Sequence, residues 1–436
     1  GLSVLVENPS DFSKAMISHT TSTYNTGWMN GDIKGAFLSD TDDTDLVGSG
    51  ELVTNGTFDT DVSGWTAAIE ATLTWDASGY LSSATTSAAR GAEQLITTVV
   101  GQRYVATVSS VSASTNHRLR VASGTFAGAI LGESADASAP TNFAVYFTAT
   151  STTTSIYLRN SDAGTILWDN VSVKLADADR SVANRGLVVN GTITRTTVAT
   201  GADLVAYSGF SASNYLEQPY NSDLDFGTGD FCVMGWARVE STIVGERFAL
   251  RREDGTTFSF HLNNNYGSYF SVGSGGGNYL AGTHLSLNVL KFITFVRRSG
   301  VGYLYQDGVL NASANMLATV NNATNPVTYI GVKSPTTGLH WLGSLALWRI
   351  SATAPTAEQI KKIYEDEKAL FQENAQATLY GASDAVTALA HDSDTGLLHV
   401  GTSAGRSVFQ GLRRVSNTTT AVGTAISASN GLVVEE

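Results

Sequence analysis

One cysteine, Cys232, occurs in 436 residues, so no disulfide can form within the chain and the bridged mosaics typical of secreted animal proteins are excluded. Assembly in a reducing cytoplasm is the expectation, wherever the product later works. Only six prolines are present, and helix formers are scarce beside Thr, Ser, Val, Gly and Asn, which favours many short strands and tight turns. Basic residues are also few: Lys and Arg number 26 against 39 Asp and Glu, a formal net charge of −13. Phosphate binding needs clustered cations, so a nucleic-acid partner is not expected. No apolar run approaches a membrane span and no signal-peptide pattern opens the sequence, so membrane insertion is not expected either.

What remains is an all-β chain too long for one core. Its centre, Val205 to Ile350, alternates apolar and polar residues at period two, with turn signals between almost every pair of runs. Cys232 lies between Phe231 and Val233 in one such run and reads as a small core residue. Two strands join at Ser299-Gly300, and the second ends in Asp307-Gly308, which favours a primed hairpin turn. A closing strand spans 339–350, with Trp341, Leu345 and Leu347 at alternate positions. The phrases SDLDFGTGDFCVMGWARV, YLYQDGVL and LHWLGSLALWRI resemble the laminin-G-like, concanavalin-type jelly roll, which implies a lectin or glucanase fold without naming a ligand. Thr356 and Gln359 form a capping box for a helix over 354–371, with Ile360, Ile363, Tyr364 and Leu370 on one face. It resembles the helix that follows many such domains and is expected to dock on the sheet.

Residues 51–177 are bracketed by ELVTNGTFDTDVSGWTA and TILWDNVSVKLAD. This bracket resembles that of a carbohydrate-binding-module jelly roll, in which Trp65 and Trp168 would be core residues. The resemblance implies a structural Ca²⁺ held in part by Asp59 and Asp169. Two side chains cannot complete its six to eight oxygen ligands, so backbone carbonyls would supply the rest. The same two aspartates could equally end turns.

The expected organisation is thus two tandem antiparallel jelly-roll sandwiches, at 51–177 and 205–372. Around them lie an N-terminal repeat fragment or connector at 1–50, a connector at 178–204 with a hairpin at Asn190-Gly191, and a propeller-like β repeat at 373–436. Gly405–Phe409 and Gly431–Glu435 echo Gly1–Leu5, so the chain is expected to begin inside a repeat and to be the distal part of something longer. A lone blade cannot bury its own faces, so an array completed by upstream sequence or by partner chains is expected.

Catalytic patterns are missing. The Glu-x-Asp-x-Glu strand of concanavalin-type glucanases does not occur, and Glu365-Asp366-Glu367 reads as a solvated helix face. His391 and His399 flank a turn, and VGSGGGN at 272–278 reads as a loop rather than a phosphate cradle. No enzyme is expected. Sugars stack on exposed aromatic rings beside hydroxyl-binding polar groups. Tyr266, Tyr269 and Tyr279 with Asn263 and Asn265 have that make-up in the second sandwich, and Trp75, Tyr80 and Arg90 are comparable in the first. Ordinary sheet packing is the alternative for each.

Taken together, these features resemble bacteriophage tail-fibre or other virion appendage proteins. The resemblance implies a homotrimeric adhesin that binds bacterial surface polysaccharide alongside other virion proteins, after assembly in the host cytoplasm. Two alternatives stand beside it: a polysaccharide depolymerase or glycosidase, and a structural capsid or fibre decoration.

Overall fold

The computed structural model describes residues 2–6, 16–20, 22, 24–30, 32–181, 183–241, 245–253, 258–263, 267–273, 278–320, 325–383 and 385–436. Among these, strands dominate and every ladder is antiparallel apart from two isolated bridges. The first sandwich has one sheet ordered Asn142–Thr148, Arg103–Ala113, Gly164–Asp177, Tyr80–Thr85, Ala71–Asp76. Facing it is a sheet of Ile130–Glu133, His117–Ser123, Thr153–Asn160, Arg90–Thr97 and Thr66–Ala68. Between them lie Phe58, Leu81, Leu119, Leu158 and both bracket tryptophans, Trp65 and Trp168, as expected for core residues.

Gly164–Asp177 does not stop at the first sandwich. Its last residues, Ala176 and Asp177, pair with Val188 and Leu187, so one sheet runs on into the second sandwich. There it continues through Tyr215–Gln218, Thr328–Ile330, Arg247–Arg252, Phe258–Leu262, Gly267–Val272 and Tyr279–His284. The opposing sheet runs Val309–Asn315, Val301–Gln306, Lys291–Arg298, Phe231–Val239, Gly343–Ser351, Val205–Ser208, Thr192–Thr197 and Leu46–Val47, with Ile33–Phe37 also pairing Gly343–Ser351. Stacked rings such as Phe270 on Phe295, 3.7 Å between centroids and 3° apart, fill the space between the sheets.

Segments read from sequence as connectors therefore build this second sandwich. Ile33–Phe37 and Leu46–Val47 join it before the first sandwich begins, which places the first as an insertion between strands of the second. Asn190-Gly191 is a tight turn, with Gly191 at φ +66°, but the strands on either side enter different sheets rather than a hairpin. A side chain there would meet Asn214 Oδ1 at 2.2 Å, so the position needs glycine on steric grounds as well.

Alternation in Gly343–Ser351 fails at Leu347, where φ is +52° and the ladder to Phe231–Val239 shifts register. This bulge turns the strand over. Leu345, Trp348 and Ile350 face the sandwich core, whereas Ala346 and Leu347 face the helix, so Leu345 and Leu347 do not share a face. The helix α1, Ala357–Glu367, opens on the expected box: Gln359 N–H donates to Thr356 Oγ1 at 3.2 Å and Thr356 N–H to Gln359 Oε1 at 2.9 Å. Its buried stripe is Ile360, Ile363 and, four residues on, Glu367. Glu367 is fully buried, which corrects its reading as part of a solvated face; helical spacing puts it beneath the stripe.

The C-terminal segment forms a four-stranded meander of Val386–Asp392, Leu397–Thr402, Gly405–Gln410 and Arg413–Asn417. One face packs on Leu379 through Val400 and Phe409. The hairpin Ile426–Ser429 with Leu432–Glu435 covers the other: Val422, Ile426 and Val433 pack on Ala388 and Ala390, and Arg406 pairs with Glu435 at 3.0 Å. The hairpin thus covers one face from within the chain, while Leu389 on the other face stays 51 % exposed.

Candidate functional site

On the outer face of the shared sheet, period-two alternation produces a row of rings. Phe258, Phe260 and Leu262 point into the core, which sends Ser259 and His261 outward; Phe270 and Val272 do the same for Tyr269 and Ser271. Register then sets Phe248 opposite His261 and His261 opposite Tyr269. The ring centroids of Phe248 and His261 are 4.7 Å apart, those of His261 and Tyr269 5.6 Å, and those of Tyr269 and Tyr279 5.9 Å. Four neighbouring strands thus carry a ladder about 14 Å long, from three spacings of ~4.8 Å.

Exposure rises along the ladder. Phe248 is 4 % exposed, lying under the Lys333 ammonium at 5.3 Å and the Arg251 guanidinium at 5.9 Å, whereas Tyr279 is 52 % exposed. Tyr279 is braced on one side by Tyr269 and open on the other, which is the posture of a stacking platform. Burial pushes the His261 ring down to about 4, with Glu246 opposing and Lys333 and Arg251 reinforcing. The ring is therefore neutral near pH 7, so the ladder carries no charge of its own.

Asn263 approaches this platform because Gly267 has no side chain. A Cβ on Gly267 would stand 3.1 Å from both Asn263 Oδ1 and the Tyr269 ring. An amide oxygen thus lies beside an aromatic ring, the pairing that sugar hydroxyls and C–H faces require. Tyr266 and Asn265 lie outside the described residues. Phe248 and His261 were missed in the sequence; the period-two pattern marks His261 as outward, but only register shows that it meets Tyr269.

Trp75, Tyr80 and Arg90 are not brought together. Trp75 pairs with Leu81 and is 40 % exposed, with its Nε1 donating to Phe58 O at 2.7 Å. Tyr80 pairs with Asp76 and faces the opposite way. Arg90 belongs to the other sheet and binds Glu70 at 3.2 Å.

Asp59 and Asp169 do approach one another. Burial raises the Asp169 carboxyl; the Asn170 N–H opposes that and the Asp59 charge adds to it. Asp59 accepts from Thr57 Oγ1 at 2.8 Å and Asp169 from Asn170 N–H at 2.7 Å. Among the described residues no group of three or more His, Cys, Asp or Glu side chains gathers as a metal centre. The pair fits a cation only where main-chain oxygens complete the shell.

Residues 210–361, about a third of the chain and most of the second sandwich, match the family profile of the concanavalin A-like lectin/glucanases superfamily. No curated protein matches the chain. Among solved structures, domain 4 of AbnA, an extracellular arabinanase of Geobacillus stearothermophilus, in complex with arabinotriose, is similar at 17 % identity and TM-score 0.33, covering 43 % of this chain and 92 % of that one. The Ruminococcus gnavus IT-sialidase CBM40 bound to α2,3-sialyllactose is similar at 12 % identity and TM-score 0.29, over 32 % and 84 %. The binding domain of Paraclostridial Mosquitocidal Protein 1 is similar at 15 % identity and TM-score 0.38, over 53 % and 62 %. Likenesses this loose carry no argument about a site.

Proposed function

We propose that this chain binds glycans without cleaving them, and that it does so on the outer face of the shared sheet. The observation that carries the reading is the braced, half-open ring of Tyr279 at the end of the Phe248–His261–Tyr269 ladder, with the Asn263 amide beside Tyr269. Hydrolysis would need two carboxylates about 5–10 Å apart across the bound sugar, whereas the ladder itself is neutral. The concanavalin A-like match over 210–361 is compatible with such a face.

The biological setting we propose is a virion appendage such as a tail fibre, in which a homotrimer presents this face to bacterial surface polysaccharide. Several linked weak sites would then raise apparent affinity by about 10²–10⁴ without new contacts. A calcium ion at Asp59 and Asp169 belongs to the same proposal. The test is a glycan array probed with the intact chain, followed by reducing-end analysis of every hit. Binding without release of reducing ends is expected; an array with no hits removes the reading, and released ends convert it to a depolymerase.

A further inference from the structure

Where the two sandwiches meet, the outer face of the shared sheet folds into a cleft of about 240 Å³. Thr107, Asn142, Ser172 and Lys174 line it from the first sandwich, Glu217 from the second, and Val188 from the linking strand Leu187–Asn190. Hydroxyl, amide, ammonium and carboxylate groups over an apolar floor are the composition of a saccharide site. Lys174 and Glu217 line it from the two sides of the junction, and neither side chain has a hydrogen-bond or ion-pair partner among the described residues; burial raises the Glu217 carboxyl, with the Lys174 charge opposing and the Glu253 charge adding to the rise. Two charged groups that oppose one another without closing a pair leave donors and acceptors for a third party.

The cleft and the aromatic ladder are joined by register. Glu217 pairs with Tyr329, Tyr329 with Arg251, Arg251 with Ser259, Ser259 with Ser271, and Ser271 with Tyr279. All six lie on the face opposite the core, because Leu216, Ile330, Leu250, Phe260, Phe270 and Leu280 occupy the inward positions. Five strand spacings separate the ends, about 24 Å, in a straight cross-strand line. Serines, a tyrosine and an arginine pave that line; Ser259 at its middle is 5 % exposed and shares a hydrogen bond of 2.7 Å with Ser271, so a ligand crossing there would rest on the larger side chains around it.

We infer that the junction cleft is a second saccharide subsite, so that one hydroxyl-rich polysaccharide chain lies across the shared sheet from Tyr279 to Glu217 and Lys174. This rests on the glycan-binding reading and deepens it: the ligand is the interior of a chain rather than a terminal sugar, and both sandwiches grip it. The first sandwich is then part of the site and more than a spacer.

The experiment titrates the intact chain with size-fractionated oligosaccharides made by partial acid hydrolysis of the polysaccharide selected on the array. Glu217→Gln, Lys174→Ala and the cleft-filling Ser172→Trp are compared with the unaltered protein, each with its melting temperature. Expected is a loss of about tenfold or more for fragments long enough to span ~24 Å, and no change for di- and trisaccharides. Equal affinities at every length in all three folded variants overturn the inference and leave the Tyr279 platform standing. Should no polysaccharide bind at all, the glycan reading itself falls, and the subsite with it.

Discussion

Arg349 and Glu367 form a bidentate ion pair that is closed off from solvent, with the two side chains 1 % and 0 % exposed. The Trp236 Nε1–H donates to the same carboxylate at 2.9 Å. Strand, helix and sheet centre are thereby fastened at one point. Removing a single partner leaves an uncompensated buried charge, so Arg349→Met should cost about 3–5 kcal/mol. Urea unfolding followed by fluorescence reads that as a lower midpoint; a loss below ~1 kcal/mol would show that water reaches the pair.

Two buried groups should make stability depend on pH in opposite senses. Burial raises Asp177 from 3.8 to about 6, with Asp40 adding to the rise and Arg180 and Arg195 opposing it. Its contribution is fully present below the unfolded value and is lost as pH rises through about 6, a cost of about 3 kcal/mol at neutral pH. His261 is depressed from 6.5 to about 4, so its neutral form contributes stability above 6.5 that is lost as pH falls through about 4, again about 3 kcal/mol. These two contributions oppose one another between pH 4 and 7. Asp177→Asn should unmask stability that rises from pH 4 to 7, and His261→Phe stability that falls over the same interval. Urea midpoints at several pH values measure both; parallel profiles for all three proteins would contradict the assignment.

Sequence and structure agree where the information is local. Both residues of Asp307-Gly308 have positive φ, at 51° and 75°, as a primed turn requires, and the Thr356–Gln359 box is present atom for atom. They diverge where the outcome depends on a distant partner. Nothing near Leu347 in sequence announces a bulge, because its cause is the register between Gly343–Ser351 and Phe231–Val239. Glu367 looks like its neighbours Glu365 and Asp366 until Arg349 is placed beneath it. Tyr269 and Tyr279 were legible as candidate stacking aromatics with sheet packing as the alternative, but their outward placement and the ladder that braces them need His261 and Phe248 from two further strands.

The Asp59–Asp169 proximity leads to a calcium prediction. A cation there would relieve the repulsion that helps raise the Asp169 carboxyl, so millimolar Ca²⁺ should raise the melting temperature of the intact chain and chelator should lower it. Asp169→Asn should abolish the response. An unchanged melting temperature with and without the ion eliminates calcium as a structural ligand.

Gly267 tests how closely the site is packed. A methyl group would press on Asn263 and Tyr269 from 3.1 Å, so Gly267→Ala should displace one or the other. Weakened glycan binding with little change in melting temperature is expected; unchanged binding would place Asn263 outside the site.

The central claim is that Tyr279 is a stacking surface, and it is tested most directly by titrating the array-selected glycan into the intact chain and into Tyr279→Ala. The expected result is affinity weakened by about 0.5–1.5 kcal/mol beyond lost contact area, at an unchanged melting temperature. Equal affinity in the two proteins, or a lowered melting temperature with affinity per folded molecule preserved, would contradict it.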